Sequence, residues 1–163
     1  FDIKKATCPK VPQVDTKNFK TVLNAISAAV QSKKALAVHD ISEGGIATAL
    51  SEMCFGGDCG AKINISPLLD QRSVLNPSVK TSKRSDLMRA DFILFAETPG
   101  TFLIEVENGK VARQLFAKVP YTIIGTTQKT KTISVNQGSK NLCGLSVDSL
   151  KAAWQKPMKE IFI

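Results

Sequence analysis

The chain has one histidine, one tryptophan, one tyrosine and four cysteines, and no C-x-x-C pair. A zinc set of the usual kind needs four thiolate or imidazole ligands at close spacing, so that arrangement is excluded. Cys8, Cys54, Cys59 and Cys143 read as free thiols of a reducing cytosol. Cys54 and Cys59 flank a Gly-Gly-Asp turn, and that spacing also admits a bridge. No apolar run approaches the length of a membrane span, and no signal peptide is visible. No Walker loop and no nucleophile elbow is present. Arginine is scarce, occurring only at positions 72, 84, 89 and 113, so the net charge of +8 is mostly lysine. Those lysines are scattered and are not interleaved with aromatics. They read as a solvated basic surface rather than a nucleic-acid site. Such a surface suits phosphorylated small molecules or an acidic partner.

A length of 163 residues fits one ordinary domain, a size that buries roughly 70% of its unfolded surface. The chain opens at Phe1 without a methionine, which reads as a fragment of something longer. Residues 1–15, with Pro9 and Pro12, read as an extended arm or inter-domain linker, leaving 16–163 as the domain.

Phe19, Val22, Leu23, Ile26, Ala29 and Val30 recur at helical spacing, which predicts a helix over about 16–33. Asp15 or Thr16 can cap its start, and Lys33 and Lys34 suit its negative end. Ala35–Val38 reads as a short buried strand. A helix follows Gly44 and Gly45, with Ile46, Ala49, Leu50 and Met53 on one face, and Gly56 and Gly57 stop it. Ala61–Ile65 alternates like a strand. Residues 66–82 read mostly as loop, with a helical turn near Leu68. Ser85–Ala90 reads as a further helical turn. Phe92–Ala96, Phe102–Val106, Tyr121–Ile124 and Thr132–Val135 read as strands, and about 110–118 as a helix. A last helix runs from Val147 to about Gln155, with Ser146 at its cap, Trp154 as a packing anchor and Pro157 beyond its end.

The segment from His39 to Gly45 is the leading candidate site. His39 can exchange a proton near neutral pH. Asp40 or Glu43 can orient it, hold a ligand hydroxyl or bind magnesium through water. The Ser42 hydroxyl and the Gly44 and Gly45 amides can grip phosphate at a helix start. A purely structural role is equally open: Asp40 or Ser42 as a helix cap, the glycines as turn formers, His39 in a satisfied buried hydrogen bond. Glu97, leaving an apolar run before Thr98-Pro99-Gly100, either faces a cleft or sits on the rim of a β-hairpin.

At these residues a resemblance emerges. Val38-His39-Asp40-Ile41-Ser42-Glu43-Gly44-Gly45-Ile46-Ala47-Thr48-Ala49-Leu50-Ser51-Glu52-Met53, followed by Gly60-Ala61-Lys62-Ile63, resembles the phosphoribosylformylglycinamidine synthases of purine biosynthesis. More closely, it is similar to the last domain of their large subunit, of the aminoimidazole-ribonucleotide-synthetase C-terminal type. The stretch from Leu94 to Val106, Ile123-Ile124-Gly125, and Leu145 to Leu150 with Trp154 match later blocks in order. The family often has Asp where Glu43 stands, and commonly Ser and Arg where Ala96 and Thr101 stand.

The resemblance implies an α+β fold, a mixed β-sheet covered by helices. It implies a cytoplasmic parent chain in which two such domains alternate with two barrel-forming domains. The implied reaction uses ATP and magnesium. The amide oxygen of a phosphorylated ribonucleotide substrate is phosphorylated, ammonia from a glutaminase subunit or domain attacks the imidate carbon, and phosphate leaves. It implies His39 as the catalytic candidate, Asp40, Ser42, Glu43, Gly44, Gly45 and Glu97 as candidates for binding phosphate or nucleotide, and no metal ligands. The isolated piece is expected to turn over nothing. A related aminoimidazole ribonucleotide or selenophosphate synthetase, or a non-catalytic bracing module, is the alternative. No contact with nucleic acid or membrane is expected.

Overall fold

The computed structural model describes residues 16–69 and 85–161. The expected arm at 1–15, the cap at Asp15 and most of the expected loop after Leu69 lie outside them. The elements are α1 (Thr16–Gln31), β1 (Ala35–Asp40), α2 (Gly45–Gly57), β2 (Gly60–Asn64), α3 (Ser85–Phe95), β3 (Phe102–Val106), α4 (Gly109–Leu115), β4 (Gly125–Gln128), β5 (Thr132–Gln137), β6 (Lys140–Ser146) and α5 (Val147–Ile161).

Two sheets carry the strands. β1 pairs antiparallel with β3, with His39 opposite Leu103 and Asp40 opposite Phe102. The second sheet has the order β4-β2-β5-β6. β2 and β5 run parallel, and the outer pairs are antiparallel. This is a mixed α+β architecture, as the sequence resemblance implies.

Period-2 alternation puts Ala61 and Ile63 of β2, and Ile133 and Val135 of β5, on one buried face. Leu50 and Cys54 of α2, Ala90, Ile93 and Leu94 of α3, and Val147 of α5 close over that face. Burial, aided by the neighbouring Cys59, pushes the Cys54 thiol up to about 12, so it packs as a small apolar group. Cys54, Cys59 and Cys143 are all free.

Several expectations are corrected. Phe92–Ala96 is not a strand: α3 runs through Phe95. Ala90, Ile93 and Leu94 are buried at helical spacing, while Phe92 and Phe95 stay exposed. A short apolar run does not distinguish the two conformations by itself. Glu97 therefore follows a helix rather than entering a hairpin.

Tyr121–Ile124 is not a strand either. Tyr121 packs on Phe116, ring centres 6.2 Å apart, and Ile124 is bonded to β2, its carbonyl accepting from the Asn64 amide at 2.7 Å next to the ladder that starts at Gly125. α2 ends at Gly57, as expected, and Asp58 follows in the left-handed region at φ 48, where a short polar side chain is tolerated.

Pro157 lies inside α5 rather than after it. The backbone bond that proline removes falls on an exposed stretch of the helix. The Ser146 hydroxyl does receive the Ser149 amide, at 3.3 Å. α4 begins where the Asn108 side chain accepts from the amides of Lys110 and Val111. The turn near Leu68 is helical at residues 66–69, with the Leu68 and Leu69 amides both donating to the Ile65 carbonyl.

Candidate functional site

β1 is longer than its apolar run suggests, and both His39 and Asp40 belong to the strand. Pairing with Leu103 and Phe102 holds these two residues at the strand's end. Ile41 then buries its side chain and donates its amide to the Thr101 carbonyl at 2.9 Å, which turns the chain toward α2. Gly44 is the residue before the helix, at φ 77, and no side chain caps the start. Neither Asp40 nor Ser42 acts as the cap.

Gly45 follows at φ 67 and is buried. Its amide donates to the Ser42 carbonyl at 3.0 Å. A Cβ there would sit 2.5 Å from the Leu94 carbonyl oxygen and 2.7 Å from the Phe95 carbonyl carbon. Gly45 thus lets the start of α2 cross the end of α3 in close backbone contact.

The other residues of the segment surround an open cavity of about 400 Å³, within the range of small-ligand sites. Its lining includes His39, Asp40, Ser42, Glu43 and Gly44. Gly45 and Glu97 are not among the lining residues, and Glu97 is exposed. Thr48, Glu52 and Trp154 complete the wall, together with Ala49. Sequence reasoning did not single out Thr48 and Glu52. The available signal was spacing: Gly44, Thr48 and Glu52 stand four apart, on one helical face. Trp154 is no buried anchor. It is 57% exposed and leans on Phe55, ring centres 6.0 Å apart and tilted by 51°.

His39 is held from both sides. Nδ1 donates to the Asp40 carbonyl at 2.7 Å and Nε2 donates to Glu52 Oε2 at 2.9 Å. A carbonyl and a carboxylate only accept, so both contacts are hydrogen bonds at once in the imidazolium form. Burial of the ring disfavours that charge. The Asp40 carbonyl and the Glu52 carboxylate, with the Asp40 charge, outweigh it and raise the pKa above 6.5. A group with a raised native pKa stabilises the fold fully below its unfolded value and stops doing so as pH rises through the native one. His39 therefore stabilises the fold on the acid side, and that contribution disappears toward alkaline pH. An NMR titration of the imidazole is expected to give a midpoint above 6.5 in the native chain and a lower one in Glu52→Gln. Equal midpoints would mean that the pair is not formed in solution.

The wall is electronegative, with three carboxylates, Asp40, Glu43 and Glu52, and one imidazolium. Among the described residues, no three acidic, histidine or cysteine side chains are placed to hold a metal ion. The cavity's chemistry suits hydroxyl and amino donors facing carboxylates, with the Ser42 and Thr48 hydroxyls as uncharged partners.

Comparison with known proteins follows the same segment. Residues 2–137 match the family described as AIR synthase related protein, C-terminal domain. The phosphoribosylformylglycinamidine synthase subunit PurL of Deinococcus radiodurans is 25% identical over 155 residues, which is 93% of this chain and 18% of that protein. A probable membrane antigen 75 of Saimiriine herpesvirus 2 is 24% identical over 155 residues, which is 93% of this chain and 10% of that protein. Among solved structures, Thermotoga maritima PurL complexed with FGAR superimposes with a TM-score of 0.66 at 17% identity, covering 90% of this chain and 23% of that one. The same protein complexed with ATP gives a TM-score of 0.61 at 16% identity, covering 80% and 21%. These structural likenesses share the fold. The chain spans less than a fifth of the length of the curated relatives described.

Proposed function

Since this chain belongs to the AIR synthase related proteins, as their C-terminal domain, we propose that it serves within a phosphoribosylformylglycinamidine synthase. In this reading the parent enzyme uses ATP and glutamine-derived ammonia to turn formylglycinamide ribonucleotide into the amidine. Residues 16–163 act as one domain in a cytoplasmic, multi-domain or multi-subunit assembly with a glutaminase partner. The observation that carries the reading is the family match, whose range includes every lining residue of the cavity except Trp154.

The cavity is then a nucleotide-facing cleft. Ser42, Thr48 and the backbone at Gly44 offer neutral hydrogen-bonding groups, and Asp40 and Glu43 accept from ligand hydroxyls. The His39 imidazolium is the one cation among the lining residues. It meets the negative charge that develops on the imidate nitrogen as ammonia adds and on the phosphate as it leaves. Glu52 orients it. Gly45 serves by fixing the turn, and Glu97 stands outside the cleft.

Genetic complementation tests the reading. The full-length protein is expected to restore growth without added purine to a bacterium lacking its own synthase. Failure of a well-expressed full-length protein would favour a second reading, a bracing or interaction module without turnover. The likeness to the viral protein, whose name is that of an antigen and not of a synthase, supports that alternative.

A further inference from the structure

We propose that Trp154 is the platform on which the heterocyclic base of a bound nucleotide stacks, an inference that rests on reading the cavity as a nucleotide site. Trp154 lies beyond the family-matched residues 2–137, yet it forms part of the cavity wall with His39, Thr48 and Glu52. A tryptophan in a folded domain usually buries most of its large apolar surface. This one leaves 57% open. Its position is nonetheless fixed: Val147 and Leu150 seat the start of α5 in the core, and Phe55 supports the indole from α2.

The cavity is polar at one end and aromatic at the other. Gly44, Thr48 and Glu52 mark successive turns of α2, about 12 Å from first to last at 1.5 Å per residue. Trp154 belongs to the far end, because its ring partner Phe55 is the next helix turn beyond Glu52. A nucleoside laid along this face puts its base on the indole and its sugar hydroxyls among Asp40, Glu43 and Thr48. The excess of carboxylates disfavours a bare polyphosphate. Base and sugar therefore carry the affinity, and the phosphate points toward Ser42 and Gly44 at the mouth. Stacking of this kind accepts any base, since every base has a π-face.

Trp154 is the single tryptophan of the chain, so its fluorescence reports the event directly. In the full 163-residue chain, AMP and adenosine are expected to quench it saturably, while inorganic triphosphate and ribose 5-phosphate leave it unchanged. By calorimetry, Trp154→Ala is expected to weaken AMP binding about tenfold, and Trp154→Phe to retain most of it. The exposed position makes both variants compatible with the fold, and unchanged circular dichroism melts verify this. Absence of saturable quenching, or equal AMP affinity in Trp154→Ala and the wild type, would overturn the proposal. Successful complementation together with failed quenching would remove the platform and leave the synthase reading intact. Failed complementation, with saturable quenching in the wild type and AMP binding weakened by calorimetry in Trp154→Ala, would do the reverse.

Discussion

Gly45→Val is expected to cost the chain about 2–6 kcal/mol of stability, the sum of a strained positive φ and of overpacking. The new Cβ would lie 2.5 Å from the Leu94 oxygen and within 2.8 Å of two Phe95 backbone atoms. Backbone atoms of a packed helix cannot rotate away as a side-chain tip can, so α2 and α3 must separate. These two helices cover the buried face of the four-stranded sheet, and the loss is a large share of a typical domain's stability. A lowered urea midpoint with an unchanged slope is the expected readout. Gly56 is the internal control. Nothing lies within 4 Å of a Cβ placed there, so Gly56→Ala is expected to be neutral or to add up to about 1 kcal/mol through helix propensity. A Gly45→Val midpoint equal to that of the wild type would show that the close crossing is absent in solution.

In the proposed full-length synthase, His39→Ala is expected to lower kcat by about 10²–10⁴-fold, the range for loss of a positioned proton donor. The pH profile carries the sharper information. In the proposed role His39 acts in its protonated form, so turnover is expected to hold on the acid side and to fall as pH rises through the raised imidazole pKa. In Glu52→Gln the fall begins at lower pH, because the hydrogen-bonded carboxylate that helps to keep the proton in place has gone. A variant lacking His39 with full turnover would remove the histidine from the chemistry. An unchanged profile in Glu52→Gln would remove its partner.

The sequence was most legible where one periodicity dominates. The α1 and β3 spans emerge almost residue for residue, because the Phe19-to-Ala29 spacing and the Phe102-to-Val106 run each fit one conformation well. It misled where tertiary contact decides. Phe92-Ile93-Leu94-Phe95-Ala96 reads as a strand in isolation, and only packing on α2 selects the helix that buries Ile93 and Leu94. β6 was not foreseen at all: Lys140, Asn141 and Gly144 have low strand propensity, and this edge strand exists because β5 offers it a partner.

The candidate site was half legible. The His39-to-Gly44 segment announces itself through a lone imidazole beside acidic, hydroxyl and glycine residues. Glu52 and Trp154 reach the same cavity from thirteen residues onward and from the final helix, respectively. No local pattern shows that convergence. Gly45 belongs to the same segment and yet serves the helix crossing instead, a distinction that only the position of Leu94 and Phe95 supplies.

The parallel pairing of β2 with β5 bears on how the domain is made. The Asn136 amide reaches the Ile63 carbonyl across a separation of 73 positions, and β5 sits between β2 and β6. Contacts so distant along the chain must overcome a long loop's closure entropy before they return any stabilisation, which slows folding. As the polypeptide leaves the ribosome, β2 therefore waits with an unsatisfied edge until the downstream strand has been synthesised. In that interval α3, β3, α4 and β4 are made ahead of it, which makes this the stage at which a chaperone has most to protect.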